Sequence, residues 1–253
     1  MRSRCETKAG SVTSRAMNPV LAEILRTKRS LTADGKTSVD IHSAISEEEG
    51  QMLGRLIAAR KPKISLEVGL AFGISALFIC EAMQQATLNP RHIVIDPAQH
   101  AEQHWKGIGL SNLTRAGFGE FVEFIEKPSQ IALAELVSAG RKIDFAFIDG
   151  EHLFDHALVD FFFVDKLLNI GGTVVLDDTV WPSIRRLARF IATNRAYRVI
   201  DHVGSDIPGK SRHLSYSTPE TIELDRKLGL EGTSIAFEKM GNDSRRYDYY
   251  EPF

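Results

Sequence analysis

The chain has little cysteine and little tryptophan: Cys5 and Cys80 are its only thiols in 253 residues, and there are two tryptophans. Two thiols are too few for a disulfide framework or a thiolate zinc centre, so a reducing compartment is the default and a cytoplasmic location is expected. No apolar run approaches the ~18 residues that a bilayer span requires, so no membrane partner is expected. An excess of one charge is also missing. Thirty-one Lys and Arg stand against 33 Asp and Glu, a formal charge of -2, with both signs interspersed. Without a basic excess, a nucleic-acid partner is not expected. Internal repeats and low-complexity tracts are absent as well, which excludes a repeat architecture.

What is present is the composition of a globular protein, 43% hydrophobic and 25% charged, long enough for one large domain with an adequate core. Residues 1–16 hold Arg2, Arg4, Lys8 and Arg15 against Glu6 alone, among several Ser and Thr. That composition is mildly like a transit peptide, and it reads here as a disordered leader with Met17 as the working start. Residues 17–253 read as a single domain, with a helical N-terminal cap over 17–62 and the core over 63–253.

Along that domain, helical and strand patterns alternate, the order of an α/β fold. A short helix is expected at 19–28. Ser46 followed by three glutamates is an N-cap signal for a helix that Lys61-Pro62 stops. Strands are expected at 63–68, 92–95, 122–125, 145–148, 173–176, 197–200 and 234–237. Between them fall helices at 74–86, 99–116 with a break at Gly107–Gly109, from Pro128, up to Leu168, at 181–193 and from Thr218. The polar segment 31–40 reads as an irregular lid or linker, and 203–216 as a mobile loop.

The most informative stretch is Glu67-Val68-Gly69-Leu70-Ala71-Phe72-Gly73-Ile74, a strand, a glycine turn and a helix start. Glycines let backbone approach a ligand, and the free N–H groups of a helix N-terminus face it. The pattern is E-x-G-x-x-x-G, with a carboxylate where a dinucleotide fingerprint has its first glycine. A carboxylate repels a pyrophosphate but holds an ammonium, which points to an amino-acid cofactor such as S-adenosylmethionine. Carboxylates also tip other strands: Asp96, Asp149, and Asp177 with Asp178. In an open parallel sheet the ligand crevice lies outside the carboxyl ends of the strands, so these acids converge on one side. Asp is common after a strand for local turn reasons, but the whole set beside a glycine turn reads as a ligand site.

With these residues the chain resembles the class I S-adenosylmethionine-dependent methyltransferases. It looks most like their small-molecule O-methyltransferase branch, which includes catechol, caffeoyl-CoA and antibiotic-sugar O-methyltransferases. The resemblance covers about residues 45–200 and rests on the Glu67–Gly73–Ser75 segment and on Leu176-Asp177-Asp178-Thr179-Val180-Trp181. It implies a Rossmann-like, doubly wound, seven-stranded and mostly parallel sheet with an N-terminal helical extension. It also implies that Glu67, Gly69, Gly73 and Ser75 hold the methionine part of the cofactor, that Asp96 accepts the ribose hydroxyls and that Ser129 meets the adenine, with Asp149 beside them. Asp149, Asp177 and Asp178 stand where metal-dependent members hold Mg²⁺. Asp178 departs from the catechol pattern, which has Asn there.

His152, three residues after Asp149, stands where the branch keeps a general base, a role that histidine as a residue type can fill. His100 and His104 share a helical face but lack the glutamate of a zinc-protease motif, so they read as surface or pocket residues. Phe161–Phe163 reads as helix packing and Trp181 as a pocket wall. The implied activity is O-methylation of a small hydroxylated molecule, with S-adenosylmethionine and Mg²⁺. Three other readings stay open: a metal-independent enzyme with His152 as base, a silent cofactor-binding scaffold, and an NAD-dependent oxidoreductase, which Glu67 disfavours. Exposed N-terminal helices in this branch often build homodimers, so a homodimer is the oligomer to look for.

Overall fold

The computed structural model describes residues 17–101, 103–204 and 218–253. The expected leader at 1–16 and all but the first two residues of the expected 203–216 loop lie outside that set.

The described elements run α1 (Pro19–Thr27), β1 (Arg29–Leu31), β2 (Ser38–Asp40), α2 (Glu47–Arg60), β3 (Ile64–Val68), α3 (Ile74–Ala86), β4 (Arg91–Ile95), α4 (Ile108–Arg115) and β5 (Val122–Ile125). They continue with α5 (Ser129–Ser138), β6 (Ile143–Ile148), α6 (Phe154–Leu167), β7 (Leu168–Leu176), α7 (Pro182–Asn194), β8 (Tyr197–Val203), α8 (Pro219–Leu228) and β9 (Ser234–Lys239). Seven strands form one sheet in the order β5-β4-β3-β6-β7-β9-β8. β5, β4, β3, β6 and β7 are parallel, and β9 inserts antiparallel between β7 and β8. The expected doubly wound, mostly parallel sheet is present. The order reverses between β3 and β6, which is where such sheets open a crevice for a ligand.

Strand alternation explains the two layers. Leu66, Val68, Ile93, Ile95, Ala146, Ile148, Val174 and Leu176 pack on the side of Ala132 and Leu133 of α5, Phe161 and Val164 of α6, and Leu187 of α7. Val94, Phe145, Phe147 and Val175 point the other way, toward Leu53 and Ile57 of α2 and Leu77 and Cys80 of α3. A sheet covered on both faces requires near-continuous apolar strands, and β4 and β6 read that way. Phe161 is fully buried and Phe163 packs against the core, as expected, whereas Phe162 is exposed.

Two expected elements differ. Segment 31–40 is not irregular: β1 and β2 form an antiparallel hairpin across it, closed by the Thr32 N–H on the Thr37 carbonyl at 2.7 Å, with Gly35 at φ +72°. The helix expected over 99–116 starts only at Ile108. Asp96 captures the Ala98 N–H at 2.8 Å, Glu126 captures the His100 N–H at 3.0 Å, and Gly107 adopts φ +72° at the helix start, so 97–107 runs as turns.

The N-cap expected at Ser46 is a full capping box: its hydroxyl accepts the Glu49 N–H at 3.2 Å while Glu49 Oε2 accepts the Ser46 N–H at 2.7 Å. Ser46→Ala should lower unfolding stability by about 1 kcal/mol in chemical denaturation, the usual cost of losing such a cap.

Candidate functional site

At the carboxyl ends of β3, β4 and β6 lies a cavity of about 390 Å³. Gly69, Ala71, Asp96, Ser129, Asp149, Gly150 and His152 line it, together with His104, Trp105 and His156. Five of the expected site residues, Gly69, Asp96, Ser129, Asp149 and His152, are thus brought to one space.

The glycine turn sits on the end of β6. Gly69 adopts φ +89°, and a Cβ on it would lie 2.1 Å from the Asp149 carbonyl oxygen, so no other residue fits. Gly73 also has positive φ and starts α3, which carries no side-chain cap, so the first-turn N–H groups are not claimed by a capping side chain. Ser75 is buried in that first turn and is not on the cavity lining.

Asp96 holds the turn from the side. Its Oδ2 accepts the N–H groups of Leu70 and Ala71, both at 3.1 Å, and the Gln99 amide at 3.2 Å, while among the described residues Oδ1 accepts only the Ala98 N–H at 2.8 Å. A carboxylate has about four acceptor positions, so Oδ1 is the oxygen with capacity for a ligand hydroxyl. The sequence suggested a ribose role for the whole group; part of it is spent on the turn. Glu67 is not on the lining at all. It is fully buried, with Oε2 3.3 Å from His92 Nε2.

The acids gather at the other end. Among the described residues, ligand atoms of Asp149, His152 and Asp178 lie within 4.8 Å of one another. His152 Nε2 is 3.2 Å from Asp178 Oδ2, and its ring stacks at 6.5 Å on Trp181. Asp178 adopts φ +51°, a left-handed conformation that Asp and Asn tolerate better than most residues. Asp177, the third expected ligand, is buried, and its Oδ1 accepts the Ser234 hydroxyl from β9. It is therefore outside the cluster of three. Trp181 meets His152 and does not line the cavity.

Electrostatics tie these groups together. Burial pushes the Asp149 carboxyl well above the ordinary range, and the charges of Asp177, Asp178, Glu67 and Glu49 push it further. Burial also raises Asp177, with Glu49 adding to it. Asp178 is raised by burial, an effect that His152 opposes. Glu49 was not singled out as a site residue by the sequence, which explained it as a helix cap. Its second oxygen accepts the Thr233 hydroxyl at 2.8 Å, which fixes it against the β9 end of the site. The first turn of α2 was legible; that it faces Asp177 was not.

The N-terminal extension reaches the same region. His42 packs edge-on against Phe72 of the glycine turn at 5.1 Å and lies 5.8 Å from Trp105. His104 lines the cavity as expected, whereas His100 turns away to Glu126, 2.8 Å from its Nδ1.

A family model described as a methyltransferase domain matches residues 66–179. Tricin synthase 1 of Oryza sativa subsp. japonica is 31% identical over 147 residues, covering 54% of this chain and 53% of that protein. Caffeoyl-CoA O-methyltransferase of Populus kitakamiensis is 28% identical over 145 residues, covering 54% and 56%. The chain thus spans about half the length of these two relatives. The structure of an O-methyltransferase from Bacillus cereus in complex with SAH aligns with a TM-score of 0.60 at 18% identity, covering 90% of this chain and 94% of that one. Over its core the chain is thus similar to methyltransferases, and its fold is that of the solved O-methyltransferase. The two curated relatives named for their activity, tricin synthase 1 and caffeoyl-CoA O-methyltransferase, are what this chain resembles in sequence.

Asp160 of α6 supplies a pH signature below this cavity. It is buried, 3.6 Å from where a Gly150 Cβ would be, and burial raises its carboxyl from 3.8 to about 6. A raised folded pKa contributes stability that is complete below the unfolded value and is lost as pH rises through about 6. Wild type should therefore lose on the order of 3 kcal/mol from this group between about pH 4 and 7. Asp160→Asn should flatten that part of the stability profile in denaturant titrations at each pH. Separately, Gly69→Ala should abolish cofactor binding in calorimetry and lower the melting temperature, because both its φ and the Asp149 carbonyl forbid a side chain.

Proposed function

We propose that this protein is an S-adenosylmethionine-dependent O-methyltransferase that acts on a hydroxyl of a small molecule, with a divalent cation held by Asp149 and Asp178 and with His152 beside it. The observation that carries the reading is the convergence of those three side chains within 4.8 Å at a cavity bordered by the glycine turn. The donors fit a divalent cation: two carboxylates sit among further acids, and burial and mutual repulsion push Asp149, Asp177 and Asp178 up. When bound, the cation orients a substrate hydroxyl and makes its proton easier to lose. The two oxygen donors favour Mg²⁺, and Asp177 adds negative charge behind them while Ser234 holds it in place.

For the cofactor, Gly69 and Gly73 let backbone come close, the open start of α3 near Ser75 suits a carboxylate, and Asp96 Oδ1 suits a ribose hydroxyl. Ser129, at the start of α5 on the same lining, suits the adenine. Methyl transfer itself is a displacement. S-adenosylmethionine would supply the electrophilic methyl group, its S–CH₃ electron pair staying on sulfur, and the acceptor hydroxyl would give its proton to a base of this chain. With His152 Nε2–H donated to Asp178, the other ring nitrogen, Nδ1, is the one left to take that proton. Alignment of donor and acceptor carries much of the rate in such a step.

A second reading has a specific observation behind it: the 3.2 Å contact of His152 with Asp178 is also a base with its orienting carboxylate, which needs no metal. The near-neutral charge and the ~390 Å³ cavity suit a small acceptor rather than a nucleic acid. A cytoplasmic homodimer belongs to the same reading, and no helix of the described residues is long and apolar enough to cross a membrane.

The test is methyl transfer to a panel of phenolic and sugar hydroxyls, before and after dialysis against EDTA. The proposal expects activity to vanish on chelation and return with Mg²⁺, and Asp149→Asn to remain inactive at any metal concentration. Activity that survives chelation but drops about 10²–10⁴-fold in His152→Ala would favour the metal-free reading. Failure of wild type to bind S-adenosylmethionine at all in calorimetry would sink both.

A further inference from the structure

Three polar side chains are enclosed in the apolar layer between the sheet and α3. Ser65 and Glu67 share a face of β3, and His92 stands opposite Ser65 on β4. All three are fully buried. Ser65 Oγ is 2.8 Å from His92 Nδ1 and also 2.8 Å from Met83 Sδ, and His92 Nε2 is 3.3 Å from Glu67 Oε2. Among the described residues, Glu67 Oε1 has no hydrogen-bond partner. The neighbours on this face are Cys80 and Met83 of α3 with Val94, Phe145 and Phe147.

Such a trio is costly where it lies, because a buried ionic pair is often no more stable than apolar residues of the same volume. Its geometry is directional. An ionised carboxylate only accepts, so the proton of the His92–Glu67 contact sits on Nε2, and the Ser65 hydroxyl can serve Nδ1. The contact leaves Oε1 unneutralised. Glu67 is two residues before Gly69, and its charge is felt across the cavity floor at Asp149 and inside α3 at Cys80, whose thiol it helps push up.

We propose that His92 is a positioning residue for the cofactor site: with Ser65 behind it, it fixes the Glu67 carboxylate beneath the glycine turn, so that the site favours a cationic sulfonium over the neutral thioether left after methyl transfer. This rests on the methyltransferase reading above. His92 touches neither cofactor nor acceptor; it acts through Glu67. The sulfonium loses its positive charge when the S–CH₃ bond breaks, so a fixed negative charge nearby discriminates reactant from product by electrostatics alone. In a low-dielectric interior a single charge is sufficient for that.

The experiment compares the Kd values of S-adenosylmethionine and S-adenosylhomocysteine by calorimetry for wild type, Glu67→Gln, His92→Met, His92→Gln and the double variant Glu67→Gln/His92→Met. Melting curves establish that each is folded. The proposal expects Glu67→Gln and His92→Met each to shift the affinity ratio toward the thioether by about tenfold. His92→Gln, whose amide still donates to Glu67, should keep most of the wild-type ratio. The double variant should shift no further than either single one. Ser65→Ala, a smaller lesion, should move the ratio in the same direction and serves if His92→Met does not fold. A His92→Met or Ser65→Ala protein that melts earlier with an unchanged ratio, or that loses affinity for both ligands equally, would reduce the trio to packing and overturn the proposal. Wild type that binds neither ligand would instead overturn the cofactor reading beneath it.

Discussion

The site depends on one close approach, the Gly69 backbone against the Asp149 carbonyl. At 2.1 Å from a would-be Cβ, that contact admits no side chain, and it brings the turn after β3 onto the end of β6. Everything else follows from that apposition. Asp149 arrives beside the turn, Asp96 clasps the same turn from β4 through Leu70 and Ala71, and α3 begins with its N-terminus beside the crevice. A larger residue at this point would part β3 from β6 where the sheet reverses its order.

Around that contact the chain collects negative charge. Glu49, Glu67, Asp149, Asp177 and Asp178 arrive from α2, β3, β6 and the end of β7, and each of the other four raises the proton affinity of Asp149. Self-repulsion of this kind is unfavourable for the empty protein and is relieved by proton uptake or offset by positive charge nearby. The sulfonium of a cofactor and a divalent ion are both cations, and a hydroxyl near either loses its proton more readily. The electrostatics and the chemistry thus favour the same set of ligands.

Most of the fold was legible because its signals are local. Glycines, caps and runs of branched residues mark the strands and helices, and every strand expected in the sheet is present within a few residues. Misreadings came where a side chain from elsewhere captured the backbone. The helix expected over 99–116 is shortened by Asp96 and Glu126, which no periodicity reveals, and the hairpin at β1 and β2 pairs residues too polar to suggest a strand. At the site, residue identity was readable but orientation was not. Asp177 and Asp178 are neighbours in sequence with opposite fates, since positive φ turns one toward His152 while Ser234 retains the other. Glu49 was read as a cap and is also part of the acidic cluster, because one carboxylate has two oxygens to give.

The antiparallel insertion of β9 has a consequence for the order in which the molecule is made. Ser234 on β9 binds Asp177, and the Gly232 and Thr233 carbonyls just before that strand receive the Thr179 hydroxyl. These contacts come from residues synthesised more than 50 positions after the acids they organise. While the ribosome is still extending the chain through α7 and β8, the parallel strands can pair with one another, but β7 lacks β9 on its other edge and Asp177 has no hydroxyl to bind. The acidic pocket therefore waits on β9, and a nascent chain that stalls before it would carry the five parallel strands with an unfinished centre.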